Sequence, residues 1–169
     1  LTWAAFAHSA GWLAAATPAF PFKDDGKGML VFDTGVVKGA LQKDGKGGAL
    51  KPIAFIDPAL PIDNNHGLLV PYRFLTTPKR YGFGSWEWER TGKVLAGGGA
   101  ELSWAEAPDR PFAFKATYVW KSADTLDFTI VFTPTTDLEK FELFVGSYFR
   151  QFTKAVVYVQ DAGRGQPGF

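Results

Sequence analysis

Strict alternation of apolar and polar side chains restricts this chain more than any other feature. In FAFKATYVW, residues 112–120, Phe112, Phe114, Ala116, Tyr118 and Trp120 fall on one side and Lys115 and Thr117 on the other. A period of two belongs to an extended strand with one buried face; a helix repeats every 3.6 residues. LDFTIVF, residues 126–132, does the same, with Leu126, Phe128, Ile130 and Phe132 inward and Asp127 and Thr129 outward. KSADT between them has turn chemistry, so the two segments are expected to pair as a hairpin.

Further strands are expected in GMLVFDTG, LKPIAFI, GLLVPYRFL, SWEWER, AELSWAE, FELFVGSYF and KAVVYVQ. TGKVLAGGG reads as a long, flexible hairpin connection and TTDLEKFE as a short turn in place of a helix. Pro71 has no N–H to give a ladder, so it marks an edge, a bulge or a break. Many short strands with regular punctuation predict an all-β fold, an antiparallel β-sandwich. Residues 1–169 are expected to form a single domain belonging to a longer chain. The opening LTWAAFAHSAGWLAAATPAFPF resembles a secretory leader in its small apolar residues. It has no basic start, is interrupted by Trp3, His8 and Trp12, and is too short to span a bilayer, so it reads as part of the fold.

Composition removes several function classes. The 18 Lys+Arg against 17 Asp+Glu leave no field to attract nucleic acid, and no basic run marks a membrane surface. With no cysteine, thiolate nucleophiles, disulfides and Cys-ligated zinc are excluded. Two histidines, His8 and His66, cannot make a His-rich metal site, and no calcium-type Asp loop is present. Ser9 beside His8 is adjacency without a nucleophile elbow, and GKG, GKGG and GGG lack phosphate-loop signatures, reading as flexible turns.

Two stretches gather chemistry. DNNHGLLVPYR puts Asp63, Asn64 and Asn65 before His66, with Gly67, Tyr72 and Arg73 following. In an unbroken strand His66 and Tyr72 would share a face while Arg73 took the other; a bulge near Pro71 would change that. His and Tyr on one face could exchange protons with a sugar hydroxyl or ring oxygen, and Arg73 could hold a carboxylate. The same residues also suit plain turn chemistry. In KRYGFGSWEWER, an extended chain would put Trp86 and Trp88 on one face and Glu87 and Glu89 on the other, close in sequence to Arg80. Paired carboxylates could act as acid and base, and the tryptophans could stack on a sugar, although core packing suits the indoles better.

SADTLDFTIVFTPTTDLEKFELFVGSYF, followed by KAVVYVQDAGRGQPGF, resembles the galactose-mutarotase-like sandwich of bacterial carbohydrate-associated proteins. The Asn-His-Gly turn before a Tyr-Arg strand in NHGLLVPYR is similar to uncharacterised members, and the likeness spans roughly residues 28–169. The resemblance implies a β-super-sandwich with a sugar-binding concave face, no cofactor, no membrane insertion, and a periplasmic or secreted location. It also implies a His acid and a carboxylate base acting on an aldose. The resemblance points to His66 as the acid; joined to the residue reading above, it makes His66 and Glu87 the catalytic candidates and Asn65, Tyr72, Arg73, Arg80 and Glu89 the substrate-binding ones, with carbohydrate as the partner. The competing expectation is a non-catalytic structural or interaction module of a larger secreted or envelope protein, its loop polarity serving only to hold turns.

Overall fold

A computed structural model describes residues 20–77, 79–150, 152, 154, 159–160 and 167–168. His8 and most of the apolar N-terminal run lie outside the described residues, as does most of the C-terminal KAVVYVQDAGRGQPGF.

The fold is all-β and antiparallel, a sandwich assembled from short sheets. Strands β1 (Lys23–Asp24), β2 (Met29–Asp33), β3 (Val37–Gln42) and β4 (Leu50–Phe55) form one sheet in sequence order. Strands β5 (Val70–Leu75) and β6 (Arg80–Tyr81) belong to a small second sheet. The third contains β7 (Thr91–Val94), β8 (Ala100–Trp104), β9 (Phe112–Trp120) and β10 (Leu126–Pro134), again in sequence order. Strand β11 (Glu142–Gly146) returns to pair with β5, giving the order β11-β5-β6. A two-stranded ribbon, β12 (Val159–Gln160) with β13 (Pro167–Gly168), follows.

The β9–β10 hairpin forms as expected, in unbroken register from Leu126↔Trp120 to Pro134↔Phe112. Its turn closes through the Lys121 N–H donating to Thr125 O at 2.9 Å. Phe112, Phe114, Ala116, Tyr118 and Trp120 are all buried, and Leu126, Phe128, Ile130 and Phe132 pack against the same core. That core joins the sheets through aromatic contacts. Phe32 of β2 meets Trp120 at 4.9 Å, and Phe74 of β5 meets Phe114 at 5.0 Å. Burying rings of this size supplies most of the drive to fold, each contributing on the order of 2–3 kcal/mol by apolar area.

Two expectations change, and one strand, β3, had not been expected. TGKVLAGGG is not a long connection: Thr91–Val94 is strand β7, and the turn that follows is tight, with Leu95 N–H donating to Gly99 O at 2.7 Å. Strand β3 had no clear alternating signal because it holds Gly39 and Ala40 at a register shift. The small residue there is required: a Cβ on Gly39 would lie 2.3 Å from Pro52 O and 2.8 Å from the Phe32 ring. SWEWER is not a strand but contains a 3-10 turn, Ser85–Glu87. No α-helix forms in TTDLEKFE, and among the described residues no helix is long and apolar enough to cross a membrane.

Candidate functional site

The His66 turn is built by its polar neighbours. Asp63 is buried, and its Oδ1 accepts the Ile53 N–H at 2.7 Å, tying the turn to β4. Gly67 N–H donates to Asn64 O at 2.8 Å and closes the turn, while Asn64 Oδ1 accepts the Asn65 N–H at 2.8 Å. Turn chemistry therefore accounts for Asp63 and Asn64. Gly67 has φ +82°, and a Cβ there would lie 2.7 Å from Leu50 O, so only glycine suits the position. On one side a Cβ on Gly48 would come within 2.5 Å of His66 O. On the other side the Tyr148 N–H donates to Gly67 O at 3.0 Å, and the Asn64 N–H donates to Tyr148 O at 2.7 Å. The 47–48 glycines, expected to be a flexible turn, are instead held by buried Arg90. Its Nη1 donates to Gly47 O at 2.7 Å and Gly48 O at 2.8 Å.

The β5 ladder explains how Tyr72 and Arg73 come together. Phe144 pairs with Arg73, but the next residue, Val145, pairs with Pro71. Tyr72 is the extra residue of a β-bulge, one position beyond Pro71. A bulge breaks the alternation of faces and re-aims a side chain. Pro71 is tolerated because β6 pairs with β5 only through Phe74 and Leu75, leaving no ladder bond for Pro71 to supply on that side. As a result Arg73 does not point away from Tyr72; its guanidinium carbon lies 5.0 Å from the Tyr72 ring centre.

The 3-10 turn delivers the tryptophan. Glu87 N–H donates to Gly84 O at 3.1 Å, and the Glu87 carboxylate accepts the Phe83 N–H at 3.0 Å, so the segment curls. Curling separates the two indoles that an extended chain would align. Trp88 goes into the core, 6% exposed, against Phe74, Phe112 and Phe114. Trp86 is half-buried and stacks on His66, with ring centres 4.3 Å apart and planes inclined by 23°. It also stacks on Tyr72 at 5.3 Å and 19°. Tyr148 stands edge-on to both, 5.1 Å from His66 and 6.1 Å from Tyr72. His66, Tyr72, Trp86 and Tyr148 thus make one half-exposed aromatic cluster.

Its rim is cationic. Arg80 lies 5.9 Å from the Tyr72 ring and is anchored by Nε to Gly82 O at 3.0 Å and Nη2 to Phe83 O at 2.9 Å. Hydrogen bonding to Arg73 holds the Tyr72 phenol below the ordinary tyrosine range, Tyr148 and Arg80 adding in the same direction. Tyr148 moves the other way, raised by burial and by the neighbouring Tyr72. The two adjacent phenols are thus pushed apart in acidity.

The expected residues therefore divide. His66, Tyr72, Arg73 and Arg80 come together, and Asn65 occupies the same turn with its side chain exposed and its carbonyl accepting Lys51 Nζ at 2.6 Å. Glu87 and Glu89 do not form an alternating pair. Glu87 closes the 3-10 turn, while Glu89 lines a separate groove of about 590 Å³ with Asp44, Arg90, Ser103 and Lys115. Among the described residues no carboxylate is within ion-pairing distance of His66, and no cluster of three potential metal ligands occurs. Tyr148 was not singled out for this site from sequence; Trp86 was raised as a stacking surface, but core packing was favoured for both indoles. No family profile, curated protein or solved structure matches this chain.

Proposed function

We propose that the aromatic cluster is a carbohydrate-binding site. One observation carries this reading: the Trp86 indole is stacked with His66 and Tyr72 at a half-exposed surface where every neighbouring ring except the indole benzene bears a polar atom. A sugar needs an apolar surface for its C–H face and donors and acceptors for its hydroxyls. The part of the half-buried Trp86 indole left exposed by its stacking on His66 and Tyr72 would supply the first; His66, Tyr72, Tyr148 and Asn65 would supply the second. Ordinary core packing does not require so many hydrogen-bonding rings beside solvent.

An epimerase needs a base beside its acid. The Glu87 carboxylate accepts a backbone N–H, and Tyr72 is the group whose acidity is shifted toward the ionised form. If the site turns over an aldose, His66 acts as acid and Tyr72 is better placed than Glu87 to take the hydroxyl proton. No cofactor enters this scheme. The test is saturation-transfer NMR with aldoses, uronates and short oligosaccharides, reading anomer exchange in the same spectra. Transfer that disappears in folded His66→Ala supports the site. Transfer without accelerated exchange makes it a binding module. No transfer to the folded protein overturns the reading in favour of a structural module.

A further inference from the structure

We propose that the sugar taken by this cluster is acidic, a uronate whose carboxylate is held by Arg73 at the rim of the Trp86 platform. The inference rests on the carbohydrate reading and names its ligand class. Five ion pairs occur among the described residues: Lys43–Asp24, Lys93–Glu101, Arg110–Asp109, Lys115–Glu101 and Lys121–Asp127. Neither Arg73 nor Arg80 belongs to any of them. Arg80 already gives two donors to the Gly82 and Phe83 carbonyls, which fixes its position and limits what it can offer a ligand. Arg73 makes no such backbone bond among the described residues and is exposed. Its guanidinium carbon lies 5.0 Å from the centre of the Tyr72 ring.

Arg73 is also where the bulge puts it for a reason of geometry. Without the extra residue at Tyr72, the guanidinium would leave the cluster for the opposite face of β5. With it, Arg73 and Trp86 flank the same ring, at 5.0 and 5.3 Å from Tyr72. The acidic residue nearest in sequence to Trp86, Glu87, has its carboxylate on the Phe83 N–H and forms no ion pair with either arginine. A planar guanidinium without a protein carboxylate matches a ligand carboxylate in two parallel hydrogen bonds. A neutral sugar leaves that fork unused. Cationic ligands, which an aromatic cluster alone would favour, are disfavoured by two arginines at the rim.

The experiment is a pair of matched titrations at low salt, glucuronate against glucose and galacturonate against galactose, followed by amide and indole NMR shifts. Glucose 6-sulfate is added as a third anionic arm. Wild type is expected to bind at least one uronate about tenfold more tightly than its neutral counterpart, the scale of one charge-assisted hydrogen bond. In Arg73→Gln the ratio of uronate to neutral-sugar affinity, measured within the variant, should fall to near unity. Arg73 is exposed, so this variant should fold, and unchanged shifts away from the cluster would verify it. Equal affinity for charged and neutral sugars, or a preference that survives Arg73→Gln, overturns the uronate assignment alone. Equal binding of the sulfate ester overturns the carboxylate assignment in favour of general anion attraction. If no sugar of either kind binds, the carbohydrate reading falls and this inference with it.

Discussion

Trp86 and Trp88 are two residues apart and lie in opposite worlds. Trp88 is packed among Phe74, Phe112 and Phe114, with the Arg110 guanidinium 4.5 Å over its face. Trp86 is half-buried at the surface and stacks on His66 and on Tyr72. The core around Trp88 is built mainly from phenylalanines, and its tyrosines and tryptophans are buried away from any ligand. The surface cluster is built from His, Tyr and Trp, each with a polar atom. Aromatic content alone does not separate stability from function; the polar atoms on the rings and their exposure do. The difference arises from one short 3-10 turn, held by the Glu87 carboxylate on the Phe83 N–H.

The largest expected effect is in the core. Phe114→Ala should destabilise the fold by about 3–5 kcal/mol, the range for deleting a buried ring, measured by urea unfolding with an unchanged m-value. A loss under about 1 kcal/mol would mean that the core is not packed as described. Arg90→Met should cost about 2–3 kcal/mol by orphaning the carbonyls of Gln42, Gly47 and Gly48. Because Gly48 seats the His66 turn, this variant should also weaken ligand binding at temperatures where it remains folded. Trp86→Ala should do the reverse of Phe114→Ala: a stability change near or below about 1 kcal/mol, but about a tenfold or larger loss of sugar affinity.

The smallest effect is in the alkaline titration of the tyrosines. Tyr72 should ionise before the ordinary value of 10.0, and Tyr148 after it, with buried Tyr118 pushed higher still. The linkage follows in sign. A depressed Tyr72 contributes stability above its unfolded value and loses it as pH falls through the folded one. A raised Tyr148 contributes fully below its unfolded value and loses that as pH rises through the folded one. Tyr72→Phe should remove the earliest phase seen in ultraviolet difference spectra. Arg73→Gln should shift that phase upward, since the guanidinium is its first cause. If the earliest phase is unchanged in both variants, it belongs to another tyrosine.

Much of the fold was legible in the sequence because the β9–β10 hairpin is long, regular and half-buried, so its alternation survives in the residue order. Strand β3 was not, because Gly39 leaves its space to the Phe32 ring and erases the alternation there. The site was partly legible. His66, Tyr72, Arg73 and Arg80 stood out as chemistry-bearing residues near one another in sequence. Their meeting depends on the bulge that Pro71 had offered as one of its alternatives, though its position is set by the β11 partner. Trp86 was placed inward because SWEWER was taken as extended, although Gly82 and Gly84 just before it could have signalled a turn. Tyr148 arrives from more than 60 residues away, held by backbone bonds to Asn64 and Gly67. The SYF segment gave no sign of that.

The most direct measurement is an indole N–H spectrum of the ¹⁵N-labelled protein during sugar titration. The sequence has 6 tryptophans, and Trp86→Ala identifies which signal is Trp86. The Trp86 signal should move saturably while those of buried Trp88 and Trp104 stay still. Movement of the buried signals alone, or of none at any sugar concentration tested, would contradict a sugar site at Trp86.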